Sequence, residues 1–156
     1  MDAGAAPSPH LSTMRRRADD RVNWVSSIPF LAFHATPRLL LWTGVSARAV
    51  VLGVVAYWGR MFFITAGYHR YFAHRSYKLG RFMQFVMAFG GSSAAQKGSL
   101  WWASHHRKHQ RYRDPELDIP SPQKGFWWSH LGWILCDKNN AWNPDNIRDF
   151  AKFPEL

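Results

Sequence analysis

A run of twenty residues, Ala49 to Tyr68, constrains this chain most, because Arg60 is its only charged side chain. At 1.5 Å per residue a helix of this length reaches about 30 Å, the thickness of the hydrocarbon core of a bilayer. A weaker apolar run, Ile28 to Trp42, precedes it and contains two prolines. Together the runs predict a transmembrane helical hairpin over about residues 28–68, with arms Ile28–Trp42 and Arg48–Tyr68 and a turn near Gly44.

Basic residues flank both ends of the predicted hairpin and account for much of the formal net charge of +10. They are Arg15, Arg16, Arg17 and Arg21 before the first run, and Arg70, Arg75, Lys78 and Arg81 after the second. The positive-inside rule then places both ends in the cytoplasm, and anionic lipid headgroups attract such cations. The alternative is a pair of buried helices in a soluble protein, since each run contains an arginine.

Nucleic acid is the competing explanation for the positive charge. The sequence has no spacing typical of a helix-turn-helix, an RRM, a KH domain or a zinc finger, and its basic residues stand among Trp and His. We therefore predict membrane lipid as a partner and no nucleic acid. The single cysteine, Cys136, excludes a disulfide framework within the chain and a Cys₄ metal site.

The chain of 156 residues is long enough for one domain. Residues 1–23 are small, polar and charged, which predicts a disordered tail, and residues 24–156 form the domain. Beyond the hairpin, residues 69–156 are expected to form a cytosolic histidine-rich helical part. The fold class is therefore all-α.

Four local patterns describe this cytosolic part. Apolar residues at helical spacing predict an amphipathic helix over Leu79–Ala95 that Gly90-Gly91 breaks or kinks. Prolines predict a loop over Asp114–Gln123. Gly125–Leu135 is an aromatic-rich helix or interfacial segment, and Asn143 offers an N-cap for a helix at Ile147–Lys152.

Two groups of histidines carry the chemistry, and the first is His69 and His74. A spacing of five places two side chains about 140° apart on an ideal α-helix, so they do not share a face. They converge on one site only if the helix ends or distorts there, as it can at the end of a membrane span.

The second group is His105, His106 and His109. Spacings of three and four place either His105 or His106 on the same helical face as His109. Neutral imidazole is a good ligand for iron, copper, zinc or nickel, and its second nitrogen needs an acceptor. Candidate acceptors are Asp114, Glu116 and Asp118. The alternative is a basic, pH-sensitive, lipid-facing surface.

Three segments carry a resemblance to a known family: GYHRYFAHRSYK (Gly67–Lys78), AAQKGSLWWASHHRKH (Ala94–His109) and SPQKGFWWSHLGWILCDK (Ser121–Lys138). They resemble the membrane fatty-acid desaturases, in particular the bacterial acyl-CoA Δ9 branch related to stearoyl-CoA desaturases. The likeness runs from about Asn23 to Leu156. It implies a diiron centre held by histidines, which uses O₂ to place a cis double bond in a fatty acyl chain carried by CoA or another carrier. It also implies an electron donor, such as a cytochrome b5-like protein, a ferredoxin or a flavoprotein reductase.

Carried over residue by residue, the resemblance assigns four iron ligands: His69, His74, His106 and His109. The family has a third histidine in the second box where this chain has Gln110, so Gln110 or the adjacent His105 is an alternative ligand. Gln96 and Trp102 match positions near the acyl chain. Ser104 and His105 replace an Arg-Asp pair near the CoA headgroup in animal relatives, which leaves the carrier open. His130 matches a position with an orienting or structural role.

The family has a further histidine box, of HxxHH type, after a second membrane hairpin. This chain ends at Leu156 before either, so the resemblance implies the N-terminal half of a desaturase. We expect the chain alone to bind iron below stoichiometry and to desaturate no fatty acid. The alternatives are a catalytically silent membrane fragment and a related histidine-rich diiron hydroxylase or alkane monooxygenase.

Overall fold

Helices dominate the computed structural model, which describes residues 20–111 and 119–156. The α-helices are α1 (Ile28–Ala35), α2 (Leu40–Thr43), α3 (Ala47–Phe62), α4 (Arg81–Ser92), α5 (Ser99–Arg111) and α6 (Arg148–Ala151). A π-helix, Phe63–Ala73, continues α3 and is called the π segment below. Shorter 3₁₀ or π turns are Thr36–Leu39, Pro122–Lys124, Trp128–Gly132, Asp137–Asn139 and Pro144–Ile147. The β-structure of the described residues is one isolated bridge, Val22 to Cys136, so the all-α prediction is confirmed.

The first arm of the predicted hairpin is shorter than a membrane span. Helix α1, a 3₁₀ turn and α2 follow one another over 16 residues, Ile28 to Thr43, which reach about 24 Å at the α-helical rise. Pro37 lies at the start of the 3₁₀ turn, where its missing N–H and its ring disfavour regular α-helix. The turn after this arm is as predicted, with Gly44 at a φ of 67°, a conformation that favours glycine.

The second arm is the helix that is long and apolar enough to cross a membrane. Within the described residues, only α3 with the π segment, Ala47–Ala73, satisfies both conditions, with a mean hydropathy of 1.7 over its most apolar stretch. Only 6% of that stretch is buried, so the other described residues do not enclose this helix. Ser46 caps its start by accepting a hydrogen bond from the Ala49 N–H. By its length and apolar character this helix could cross a membrane.

The core of the molecule lies where α4, α5 and the C-terminal turns surround the π segment. Tyr68, Tyr71 and Phe72 of the π segment are buried there. They pack with further buried residues of the surrounding elements, namely Met87, Ala88, Ala103, Ile147 and Phe150.

Helix α4 continues through Gly90-Gly91 to Ser92, so the predicted break at these glycines is wrong. The two glycines instead permit close packing. A Cβ atom added at Gly90 would lie 2.4 Å from the Phe63 ring, and one added at Gly91 would lie 2.1 Å from the Tyr68 ring.

The last part of the chain folds back over the core. Asn143 accepts a hydrogen bond from the Asp145 N–H and so caps the turn that leads into α6, as predicted. The predicted helix over Gly125–Leu135 is shorter, because its regular part is the π turn Trp128–Gly132.

Part of the predicted tail also contacts this region. Residues 1–19 of that tail lie outside the described residues. Of the remainder, the buried Asp20 carboxylate forms an ion pair with Lys138, and Val22 bridges to Cys136.

Candidate metal centre

The π segment brings the first two histidines together. The His74 N–H donates to the His69 carbonyl at 3.0 Å, which is the i to i−5 hydrogen bond of a π-helix. The wider π turn holds more residues than an α turn, so residues five apart lie on one side. The Nε2 atoms of His69 and His74 are 3.2 Å apart. The distortion that the spacing required is therefore present.

Helix α5 supplies the third histidine. The His106 Nε2 lies 3.2 Å from the His74 Nε2, although the two residues are 32 positions apart in the chain. The His106 ring stacks on Trp102, with a centroid distance of 4.8 Å and an interplanar angle of 14°. A nitrogen from each of His69, His74 and His106 lies within 4.8 Å of the others. These three residues are called the histidine cluster below.

The donor set of the cluster fits a transition metal. Two imidazoles on one metal at about 2.1 Å have nitrogens about 3.0–3.4 Å apart for octahedral or tetrahedral angles. The His69–His74 and His74–His106 separations of 3.2 Å fall in this interval, and the His69 and His106 nitrogens lie within 4.8 Å of each other. The His74 Nε2 carries either a proton or a lone pair, so it can make a good hydrogen bond to only one of the two neighbouring Nε2 atoms. A metal ion could instead accept the lone pairs of all three histidines.

The protonation state of His106 favours the same interpretation. Burial, together with the charges of His69, His74 and His109, lowers the pKa of His106 to about 4. The ring is therefore neutral near pH 7, as a metal ligand must be.

The remaining predicted ligands lie outside the histidine cluster. The His109 side chain is exposed, and its ring centroid lies 6.3 Å from that of His106. Gln110 is exposed at the end of α5. His105 stacks on Trp101 at 4.2 Å, and its Nδ1 hydrogen-bonds to the Trp101 carbonyl at 2.9 Å. Burial lowers the pKa of His105 as well.

A cavity of about 1030 Å³ adjoins the cluster. Its walls include His106 and His109 and both residues predicted to lie near the acyl chain, Gln96 and Trp102. The neighbours of Gln96, Ala95 and Lys97, have φ values of 56° and 64°, in the left-handed region. His130 also lines this cavity and stacks on Phe126 at 4.1 Å.

Two polar contacts that support the histidine segments were not predicted. The Tyr68 hydroxyl donates to the Lys97 carbonyl at 3.1 Å and so connects the residue before His69 to the loop that carries Gln96. Arg107, next to His106, forms an ion pair with Asp149 at 2.8 Å. The sequence shows an arginine inside a histidine motif but nothing that identifies its partner 42 positions away. The predicted acceptors Asp114, Glu116 and Asp118 lie outside the described residues.

Comparison with known proteins finds curated relatives that are similar to most of this chain. The chain is 31% identical over 149 residues to the sn-1 stearoyl-lipid 9-desaturase of Anabaena variabilis, covering 91% of this chain and 53% of the relative. It is 34% identical over 139 residues to the sn-2 palmitoyl-lipid 9-desaturase of Nostoc sp. (strain 36), covering 87% and 47%. It is also 31% identical over 123 residues to a probable acyl-CoA desaturase of Schizosaccharomyces pombe, covering 76% and 25%.

No family model matches the chain, and no solved structure is significantly similar to it. A helical membrane-associated fold with a histidine cluster defines a class of candidate metalloproteins. The curated relatives narrow that class, and the chain belongs to the fatty-acid desaturase family. It spans about half the length of the two cyanobacterial relatives.

Proposed function

We propose that this chain supplies part of the diiron site of an O₂-dependent fatty acyl desaturase, which introduces a cis double bond into an acyl chain. The observation that carries the proposal is the histidine cluster at the end of the apolar helix, in a chain of this family. In this proposal residues 24–156 are one portion of a desaturase domain.

The cluster holds one iron through His69, His74 and His106. His109 is the ligand offered toward the second iron, with Gln110 and His105 as alternatives. When bound, the metal pair supplies the O₂ activation needed to remove hydrogen from an unactivated C–H bond. The protein contributes neutral imidazoles, and Trp102 covers one face of His106 and limits its contact with water.

The cavity beside the cluster is the proposed acyl site. Gln96 and Trp102 line it together with His106, so a chain lying there passes beside the metal ligands. Apolar walls hold a hydrocarbon through burial, without directional contacts. The relatives' names include both acyl-CoA and acyl-lipid desaturases, and either carrier is compatible with this cavity. Electrons come from a separate donor of the cytochrome b5, ferredoxin or flavoprotein reductase kind.

The histidine cluster is proposed to face the cytoplasm, because Arg70, Arg75 and Lys78 follow the apolar run Ala49–Tyr68. A cysteine placed at Gly44 in a Cys136→Ala background tests this orientation. We expect labelling of that cysteine by an impermeant maleimide from the non-cytoplasmic side only. Labelling from the cytoplasmic side of sealed vesicles would reverse the proposed topology.

Metal binding by the detergent-solubilised chain tests the proposed site. We expect Co²⁺, as a spectroscopic substitute for Fe²⁺, to bind the natural sequence. The variant His74→Ala should bind at least about 100-fold more weakly, since loss of an outer-shell partner alone costs about 10–100-fold. His34→Ala is the matched control, because His34 lies on α1 and bonds to the Phe30 carbonyl.

The results separate the proposal from its alternatives. Equal Co²⁺ affinity in all three proteins, or none in any, would favour a catalytically silent membrane fragment. Analysis of acyl chains in cells that co-express the complementary part of the Anabaena relative distinguishes the reactions. New double bonds support a desaturase, whereas hydroxylated chains or alkanols support a hydroxylase or alkane monooxygenase.

A further inference from the structure

One arginine connects the two histidine segments. The Arg107 Nε donates to the Ala73 carbonyl at 2.9 Å, and its Nη2 donates to the Phe72 carbonyl at 2.5 Å. Phe72 and Ala73 are the last residues of the π segment before His74. Arg107 itself follows His106 directly on α5. The guanidinium therefore joins the backbone beside one member of the histidine cluster to the helix that carries another.

The same guanidinium is held in place from its other side. Its Nη1 and Nη2 donate to Asp149 Oδ1 and Oδ2 at 2.8 and 3.1 Å, which is a bidentate ion pair. Nη1 also donates to the Asn146 carbonyl at 3.1 Å. The Arg107 and Asp149 side chains are only 17% and 19% exposed, so solvent screens the pair weakly. The planar guanidinium group has five N–H donors and can make all these bonds at once, whereas a lysine ammonium group cannot.

The charge of Asp149 is maintained by its neighbours. Burial on its own would raise the pKa of this carboxyl, but the hydrogen bonds and charge of Arg107, with the charge of Arg75, lower the pKa below its usual value. The Arg75 Nε lies 3.2 Å from Asp149 Oδ2. Arg75 follows His74, so Asp149 contacts the chain after the π segment directly and is connected to the residues before His74 through Arg107.

The carbonyls that Arg107 binds need an outside partner. The last carbonyls of a helix have no backbone N–H of the same helix to donate to them. Side chains, water or ligands must therefore supply the hydrogen bonds. The end of the π segment is also where the His74 N–H makes its i to i−5 bond to His69. A partner for these carbonyls therefore stabilises the turn that brings the two rings together.

We propose that Arg107, held by Asp149, is a positioning residue that fixes the distance between His74 and His106 and so preorganises the histidine cluster. This inference rests on the proposed metal function but concerns neither a ligand nor a substrate contact. The pair acts through backbone: Arg107 holds the carbonyls before His74, and Asp149 holds Arg107 in its rotamer. Such support is what keeps ligands at productive distances in metal sites.

The chain offers a matched control for this pair. Arg81 and Glu155 form another bidentate pair, with Nε to Oε1 at 2.6 Å and Nη2 to Oε2 at 3.0 Å. That pair joins the start of α4 to the C-terminus and carries no histidine. The variants Arg107→Gln and Arg81→Gln each remove a bidentate pair with a carboxylate, but only Arg107 is also bonded to backbone carbonyls, and Arg81 is 66% exposed.

The first measurement is hydrogen exchange of the metal-free protein in detergent. We expect Arg107→Gln to accelerate exchange of the amides of residues 74–76, which bond back to the π segment, by at least about tenfold relative to Arg81→Gln. Asp149→Asn should have a smaller effect of the same kind, because the backbone bonds of Arg107 remain. Unchanged exchange at these amides in Arg107→Gln would overturn the proposal.

The second measurement is Co²⁺ binding. We expect Arg107→Gln to weaken Co²⁺ affinity about 10–100-fold and to change the visible ligand-field spectrum, as for other residues that orient ligands. Arg107→Lys should rescue little, since it keeps the charge but loses the fork. Unaltered affinity and spectrum in Arg107→Gln would contradict the positioning role.

The two measurements also separate this inference from the function it rests on. If the natural sequence binds no Co²⁺, the proposed metal centre fails, and exchange at residues 74–76 still decides whether Arg107 positions them. If Arg107→Gln does not fold, Asp149→Asn carries the test with both readouts, and normal exchange with normal Co²⁺ affinity in that variant would overturn the proposal.

Discussion

The helix Ala47–Ala73 has two parts that differ in hydrogen-bond period and in surroundings. In α3, Ala47–Phe62, the period is that of an α-helix and no residue is buried. In the π segment, Phe63–Ala73, the period is wider and five residues are buried. The change in period coincides with the beginning of the packed region. An apolar helix on its own follows backbone preference, whereas a helix against a core follows its neighbours.

The contacts at this boundary show how the neighbours act. Phe63 and Tyr68 occupy the spaces over Gly90 and Gly91 of α4, where a Cβ would not fit. The Tyr68 hydroxyl reaches Ser92 at 3.1 Å, and the Tyr77 hydroxyl donates to the Ala66 carbonyl at 2.5 Å. These contacts pack against a π-helical backbone, which is rare in proteins, and His69 and His74 converge at its end.

The largest expected effect is on membrane insertion of the exposed part, α3. Val55 lies in the middle of the exposed stretch and is 64% exposed. We expect Val55→Lys to disfavour membrane insertion by about 2.5–3.5 kcal/mol, because a charged side chain then lies near the bilayer centre. Quantifying inserted chains by alkaline extraction checks this. Gln123→Lys, in an exposed turn, is the control, and equal insertion of both variants would mean that α3 does not cross the bilayer.

A second contrast makes the same substitution, glycine to alanine, at a position packed against the π segment and at an open position of α3. Gly91→Ala should lower the free energy of unfolding by about 2–3 kcal/mol, because its Cβ would overlap the Tyr68 ring in a packed site. Gly53→Ala in α3 has nothing within 4 Å of its Cβ and should raise helix stability by up to about 1 kcal/mol. Thermal unfolding in one detergent measures both. Similar shifts in the two variants would show that close packing does not distinguish these regions.

A third contrast compares two tyrosines of the same helix. The buried Tyr71 hydroxyl donates to Gln84 Oε1 at 2.9 Å, and the Gln84 Nε2 is already without a partner among the described residues. Tyr71→Phe should therefore cost about 1–2 kcal/mol, since it leaves a buried amide oxygen unsatisfied. Tyr57→Phe, at an exposed position of α3, should cost nothing measurable. Chemical denaturation of both variants provides the comparison.

The smallest expected effect is at the start of the exposed part. Ser46→Ala removes the side-chain oxygen that accepts from the Ala49 N–H at 3.2 Å. The expected loss is about 0.5–1 kcal/mol, typical of a removed N-cap. Ser46→Asp keeps an acceptor and should retain most of the stability. The two unfolding curves should differ, and coincident curves would indicate that the cap contributes nothing.

Local sequence determined much of this molecule. The apolar run after Ser46 predicts a helix long enough to cross a bilayer, and the structure contains it as Ala47–Ala73. Gly44 predicts the turn before it, and Asn143 predicts the cap before α6. The spacing of His69 and His74 also predicts that the helix must end or distort for the two side chains to meet, because five residues exceed one α-helical turn. Each of these features depends on residues a few positions apart.

Tertiary structure decided what depends on distant residues. The π segment Phe63–Ala73 packs against α4, and the same α4 glycines that predict a break in isolation permit that packing. The meeting of His74 with His106 joins positions 32 apart, and the pairing of Arg107 with Asp149 joins positions 42 apart. Helix and turn propensities depend on residues that are close in the sequence, so they do not predict such pairs. The shape of the folded core determines which distant side chains come into contact. The sequence therefore determined which residues can bind a metal, and the fold decided that His69, His74 and His106 converge.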